Sequence, residues 1–61
     1  MKLMEAREII LEVHGKSYSW LLNWGISTIR MAIYTILDRK TATKADVELA
    51  RGVEDKLNRK W

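Results

Sequence analysis

The absence of cysteine is the feature that most narrows what this chain can fold into. A domain of 61 residues buries a smaller share of its surface than a large domain does, and chains of this size commonly recruit disulfides, metal ions, very regular helix packing or self-association. With no cysteine and one histidine, disulfides, thiolate chemistry and a multi-histidine metal centre within one chain are excluded. Regular helices and association remain. The length allows one domain, residues 1–61, and leaves little room for a deep pocket with a supporting shell of side chains. The expectation is therefore a non-enzymatic binding or interaction protein without cofactor or metal.

The residue pattern is helical throughout. There is no proline, no two-residue hairpin signal and little strict alternation. Leu3, Ala6, Ile10 and Val13, broadened by Ile9, recur at helical spacing and predict a first helix from about Lys2 to His14. Gly15 follows where a left-handed cap is expected. His14 at that end is expected to favour the helix dipole as a cation. Ser17 or Ser19 can cap a second start. Two readings then stand side by side. In one, Ser17 to Lys40 is a single helix with Gly25 in its interior. In the other, Gly25 ends a short helix at about Trp24, and Ser27 caps a new one running to about Lys40. Residues 39–43 read as a connector. Thr43 with Asp46 is a near capping box that opens a last helix from about Lys44 to Arg59. Its stripe is Val47, Ala50, Val53 or Glu54, Leu57 and Trp61.

The fold class expected is all-α: a small bundle of three or four helices, completed by oligomerisation. Tyr18 to Leu37 holds a single charge, Arg30. Asn23, Ser19, Ser27, Thr28 and Thr35 dilute it too far for a membrane span. With no apolar leader at the N-terminus, the cytosol is the expected location.

Charge is unevenly placed. The net charge is +3, yet residues 13–44 alone carry +4: Lys16, Arg30, Arg39, Lys40 and Lys44 against Asp38. The flanking segments sum to −1 and zero. A local basic excess is the footprint of phosphate binding, since Lys and Arg displace counterions from a nucleic-acid backbone. The same excess also suits a solvated loop end.

The stretch Gly15-Lys16-Ser17-Tyr18-Ser19-Trp20-Leu21-Leu22-Asn23-Trp24-Gly25-Ile26-Ser27-Thr28 resembles the helix-turn-helix of phage repressor and Cro-type regulators. The resemblance implies a glycine ending the leading helix, a Ser opening the supporting helix and a Gly25-Ile26-Ser27 turn into the recognition helix. Trp20 and Trp24 occupy its buried apolar positions, and Leu21 stands where an alanine is usual. Ile36-Leu37-Asp38-Arg39-Lys40 is similar to the end of a recognition helix with its basic loop. Asp46-Val47-Glu48-Leu49-Ala50-Arg51 is similar to the later core helix. Ser17 lies one residue nearer to Gly25 than the family spacing, and Leu37-Asp38 about two residues farther beyond it. The family pattern buries Ile26, Met31 and Tyr34 and turns Thr28, Ile29, Ala32, Ile33 and Ile36 toward DNA. The function implied is a dimeric transcription regulator that binds double-stranded DNA. Lys16, Arg39, Lys40 and Lys44 would lie on phosphates, and Ser27, Thr28 and Arg30 would open the recognition helix.

The apolar spacing supports a second use of the same segment. Leu22, Ile26, Ile29, Ile33 and Ile36 recur at four, three, four and three residues, a seam suited to meeting a second copy or another protein. Trp20, Trp24, Met31 and Tyr34 lie on a neighbouring face, with Trp20 and Trp24 expected in the core. The alternative function is thus a helical interaction or oligomerisation module, with those five apolar residues as its contact surface and no nucleic acid.

Overall fold

The computed structural model describes residues 1–60. Four helices follow one another: α1 Leu3–Val13, α2 Tyr18–Trp24, α3 Ile26–Asp38 and α4 Lys44–Arg59. No strand occurs among the described residues, so the all-α expectation holds. Trp61, expected on the α4 stripe, lies outside the described residues.

Each helix starts and stops for a local reason. α1 ends at His14, which stands in extended conformation as the C-cap, and Gly15 takes φ +78° as the chain turns. Ser17 opens α2 by accepting a hydrogen bond from the Trp20 amide, 3.2 Å. At α4 the capping box is complete. Thr43 Oγ1 accepts from the Asp46 amide and Asp46 Oδ2 accepts from the Thr43 amide, both at 3.1 Å. Two otherwise unpaired donors are thereby satisfied.

Gly25 settles the question left open between one helix and two. Its φ of 127° and ψ of 97° lie outside every region open to residues with a side chain. The break is a single residue wide. The Gly25 amide still donates to the Leu21 carbonyl, 3.0 Å, and the Ile29 amide donates to the Gly25 carbonyl, 3.2 Å. Ile26 and Ser27 already belong to α3, so the Gly-Ile-Ser turn expected from the resemblance contracts to Gly25 alone. Ser27 makes no cap; the N-cap of α3 is Gly25.

Gly25 and Gly52 make a direct comparison. At both, an added Cβ would meet nothing within 4 Å. Gly25→Ala should nevertheless destabilise by about 1–3 kcal/mol, because the backbone must hold a forbidden conformation. Gly52→Ala, in the exposed interior of α4, should stabilise by about 0.5–1 kcal/mol through helix propensity. Urea unfolding of the two variants checks the opposite signs.

One core holds the bundle. Ala6, Ile10 and Val13 of α1, Leu21 of α2, Ile29, Ala32, Ile33 and Ile36 of α3, and Ala50, Val53 and Leu57 of α4 are buried together. An alanine from each of α1, α3 and α4 is fully covered, which lets the three long helices approach closely. This arrangement corrects the expected contact surface. Ile29, Ile33 and Ile36 are 0–1% exposed, covered within the protomer by α1 and α4, so that part of the seam is unable to meet a partner. Ile26 is half-buried against the core, and of the five only Leu22 is exposed.

The family pattern for α3 is likewise reversed. The Ile face points inward, whereas Met31 and Tyr34 are 55% and 54% exposed. β-Branched isoleucines beside Ala32 make a flatter, closer-packing face than Met31 and Tyr34, and the core takes that face. Trp20 and Trp24 are half-buried and packed against the core, so the aromatic pair divides from Met31 and Tyr34.

Arg7 and Asp46 join α1 to the start of α4. The Arg7 Nε donates to both carboxylate oxygens at 3.1 Å, and Nη2 donates to Oδ2 at 2.8 Å. This fork, together with the Thr43 amide, holds the Asp46 carboxyl below its ordinary value of 3.8. A carboxyl so lowered adds stability that is complete above its unfolded value and is lost as pH falls through its folded value. The thermal midpoint should therefore be level from pH 7 to about pH 5 and decline below about pH 4. Asp46→Asn should lower the midpoint at neutral pH and flatten that acid limb.

Among the described residues, no helix is long and apolar enough to cross a membrane. The weakly charged stretch of residues 18–37 is divided between α2 and α3.

Candidate nucleic-acid interface

The helix directions decide where the basic residues go. Arg39, just past α3, donates to the Met1 carbonyl at 3.4 Å, so the end of α3 lies beside the start of α1. Lys56, near the end of α4, donates to the Lys16 carbonyl at 2.6 Å, so the end of α4 lies beside the end of α1. α1 and α4 thus run one way and α3 the other.

The candidate residues consequently separate into two groups at opposite ends of α3. Lys16, Ser27, Thr28 and Arg30 belong to the end formed by the α1–α2 turn and the first turns of α3. Arg39, Lys40 and Lys44 belong to the other, at the α3–α4 connector. At 1.5 Å per residue, Ser27 and Arg39 stand about 18 Å apart along the helix axis. The molecule is 31 Å in its longest dimension, so this separation spans much of it.

Each group is accessible. Lys16 is exposed and its ammonium lies 5.3 Å from the Trp20 ring centroid, a cation–π contact that steadies the side chain. Ser27 and Thr28 are exposed, and Arg30 is half-buried on the flank of α3. Arg39, Lys40 and Lys44 are exposed. The ion pairs among the described residues are Arg7–Asp46 and Arg59–Asp55, and neither uses a candidate cation.

The outer face of α3 runs from Ser27 at one end to the connector at the other. Ser27, Met31, Tyr34 and Asp38, spaced by four, three and four, make one exposed stripe opposite the buried isoleucines, with Thr28 and Thr35 on its flank. Thr35 Oγ1 is occupied locally, donating to the Met31 carbonyl at 2.7 Å. The stripe carries no charge until Asp38, at its far end. Ile29, Ala32, Ile33 and Ile36, which the resemblance turns toward DNA, are inside.

Two charges at the connector run against local stability. Asp38 is the last residue of α3 and Lys44 the first of α4. Helix dipoles favour the opposite signs at both places, by about 0.3–1 kcal/mol each. Charges that oppose their local structure are the kind of local inconsistency found at functional positions.

Two features were missed from sequence. Lys56 joins the Lys16 end of the molecule, and Arg7 pairs with Asp46 across 39 positions. Neither leaves a local signal, since each depends on helices meeting in space. His14 is exposed at the α1–α2 turn, beside Gly15. Comparison with known protein families, curated proteins and solved structures gives no match.

Proposed function

We propose that this chain is a small DNA-binding transcription regulator of the phage or mobile-element kind, acting in the cytoplasm as a dimer, with α3 as its reading helix. The observation that carries the reading is the placement of cations that form no ion pair among the described residues at both ends of α3: exposed Lys16 and half-buried Arg30 at one, and exposed Arg39, Lys40 and Lys44 at the other. The major groove of B-DNA is about 12 Å wide and admits an α-helix. A helix of 13 residues, about 20 Å long, lies across or along it with its ends near the phosphates of the two strands. Lys16 and Arg30 meet one strand, and Arg39, Lys40 and Lys44 the other. Phosphate contacts of this kind set register, and the side chains between them face base edges. Dimerisation adds a second half-site about one helical turn away.

A second reading is favoured by Leu22, Met31 and Tyr34, each more than half exposed. Low charge with Met and Tyr is the composition of a protein–protein contact. Titration of a mixed-sequence duplex at low and moderate salt separates the two. The DNA reading expects binding at low salt that weakens steeply as salt rises, with a mass measurement giving a dimer on the duplex. Absence of binding at low salt would overturn it and leave the interaction module.

A further inference from the structure

Resting on α3 being the reading helix, we infer that Asp38 is a specificity-determining residue that selects cytosine in the major groove. The outer face of α3 has little else with which to distinguish bases by sign. Ser27 and Tyr34 carry hydroxyls, which both donate and accept, and Met31 is apolar. The carboxylate of Asp38 is the one strong acceptor on this face that cannot also donate. It is exposed, has no ion-pair partner among the described residues, and lines an open depression with Tyr34 and Arg39.

Major-groove chemistry then narrows the base. Only the amino groups of cytosine and adenine donate there. In an A·T pair the adenine amine lies between two acceptors, purine N7 and thymine O4, and both repel a carboxylate. In a G·C pair the cytosine amine has an acceptor, guanine O6, on one side only. A carboxylate approaching from the other side meets the amine without a competing oxygen or nitrogen. Asp38 would otherwise be a liability on DNA, a negative charge carried into a phosphate-lined groove. Arg39 and Lys40, next in the chain and exposed, offset that charge. Asp38 also opposes the dipole of its own helix, so a purely structural role leaves its identity unexplained.

The test is selection of bound duplexes from a random library by the full chain, followed by titration of single-base variants of the selected site. The wild-type chain should show one position per half-site where cytosine is preferred by about tenfold over the other bases. Asp38→Ala, which leaves no side-chain acceptor at that position, should abolish that preference. The variant relieves an unfavourable helix-end charge, so its thermal midpoint should be equal to or above that of wild type, which excludes misfolding as the cause. Retention of the cytosine preference in Asp38→Ala, or selection of no cytosine by wild type, would overturn the assignment of Asp38 while leaving the DNA reading intact. Failure of wild type to bind any duplex at low salt would overturn the DNA reading itself, and this inference with it.

Discussion

Replacing Ile33 by alanine should bring the chain close to unfolding at room temperature, whereas replacing Met31, two residues away on the same helix, should leave it almost unchanged. Ile33 is 1% exposed and Met31 55%. Truncating a buried isoleucine to alanine costs about 2–5 kcal/mol, the transfer of its lost methyl groups plus the cavity left behind. A domain of this length has a total stability of about 3–9 kcal/mol, at 0.05–0.15 kcal/mol per residue. One side chain therefore carries a large fraction of the whole. The thermal midpoint should fall by more than about 10 °C, given a shift of 4–8 °C per kcal/mol in a small domain. Met31→Ala, an exposed change away from caps and ion pairs, should stay within about 0.5 kcal/mol of wild type. Urea denaturation followed by far-UV circular dichroism measures both. A larger loss at Met31 than at Ile33 would mean that α3 packs with its other face inward.

The same pair of residues marks the limit of what the sequence discloses. Hydrophobic spacing reports which residues share a helix face. It leaves open which face a neighbour covers when two are apolar. On α3 the isoleucine row and the Met31–Tyr34 row were both credible, and the isoleucines read as a free seam. Ala32 was the signal for the true orientation. A small residue among isoleucines invites close helix approach, and Ala6 and Ala50 do the same on α1 and α4.

The ends of α1 and α4 were legible because local chemistry sets them: Gly15 after an apolar stripe, and the Thr43–Asp46 box. The break at Gly25 was not. A glycine inside a helix costs only about 1 kcal/mol relative to alanine, so its presence fits either course of the backbone. The candidate cations were found by charge counting. Their division between two ends of α3 required knowing that α3 runs against α1 and α4, a fact of topology that no local pattern encodes.

The second large effect concerns the connector cations. The triple variant Arg39→Ala, Lys40→Ala, Lys44→Ala should lose about 500-fold in affinity for duplex DNA at 0.1 M salt, because three phosphate contacts each release about 0.9 of a counterion. Its plot of log affinity against log salt should be shallower by about 2.7. The fold should survive the change. All three side chains are exposed, and Lys44→Ala removes a cation from the start of α4, where the dipole disfavours it. The control is Arg51→Ala with Arg59→Ala. These cations lie on α4, with Arg51 exposed and Arg59 engaged by Asp55 at 2.8 Å. If the phosphates lie along α3, that double variant removes charge without removing an assigned phosphate contact, and salt screens such charge over about 10 Å at 0.1 M. It should lose less than about tenfold in affinity and keep most of the wild-type slope. Equal losses from the connector and from α4 would show that net charge alone drives binding. A slope unchanged in the triple variant would remove the connector from the interface, and with it the argument that α3 is held in the groove from both ends.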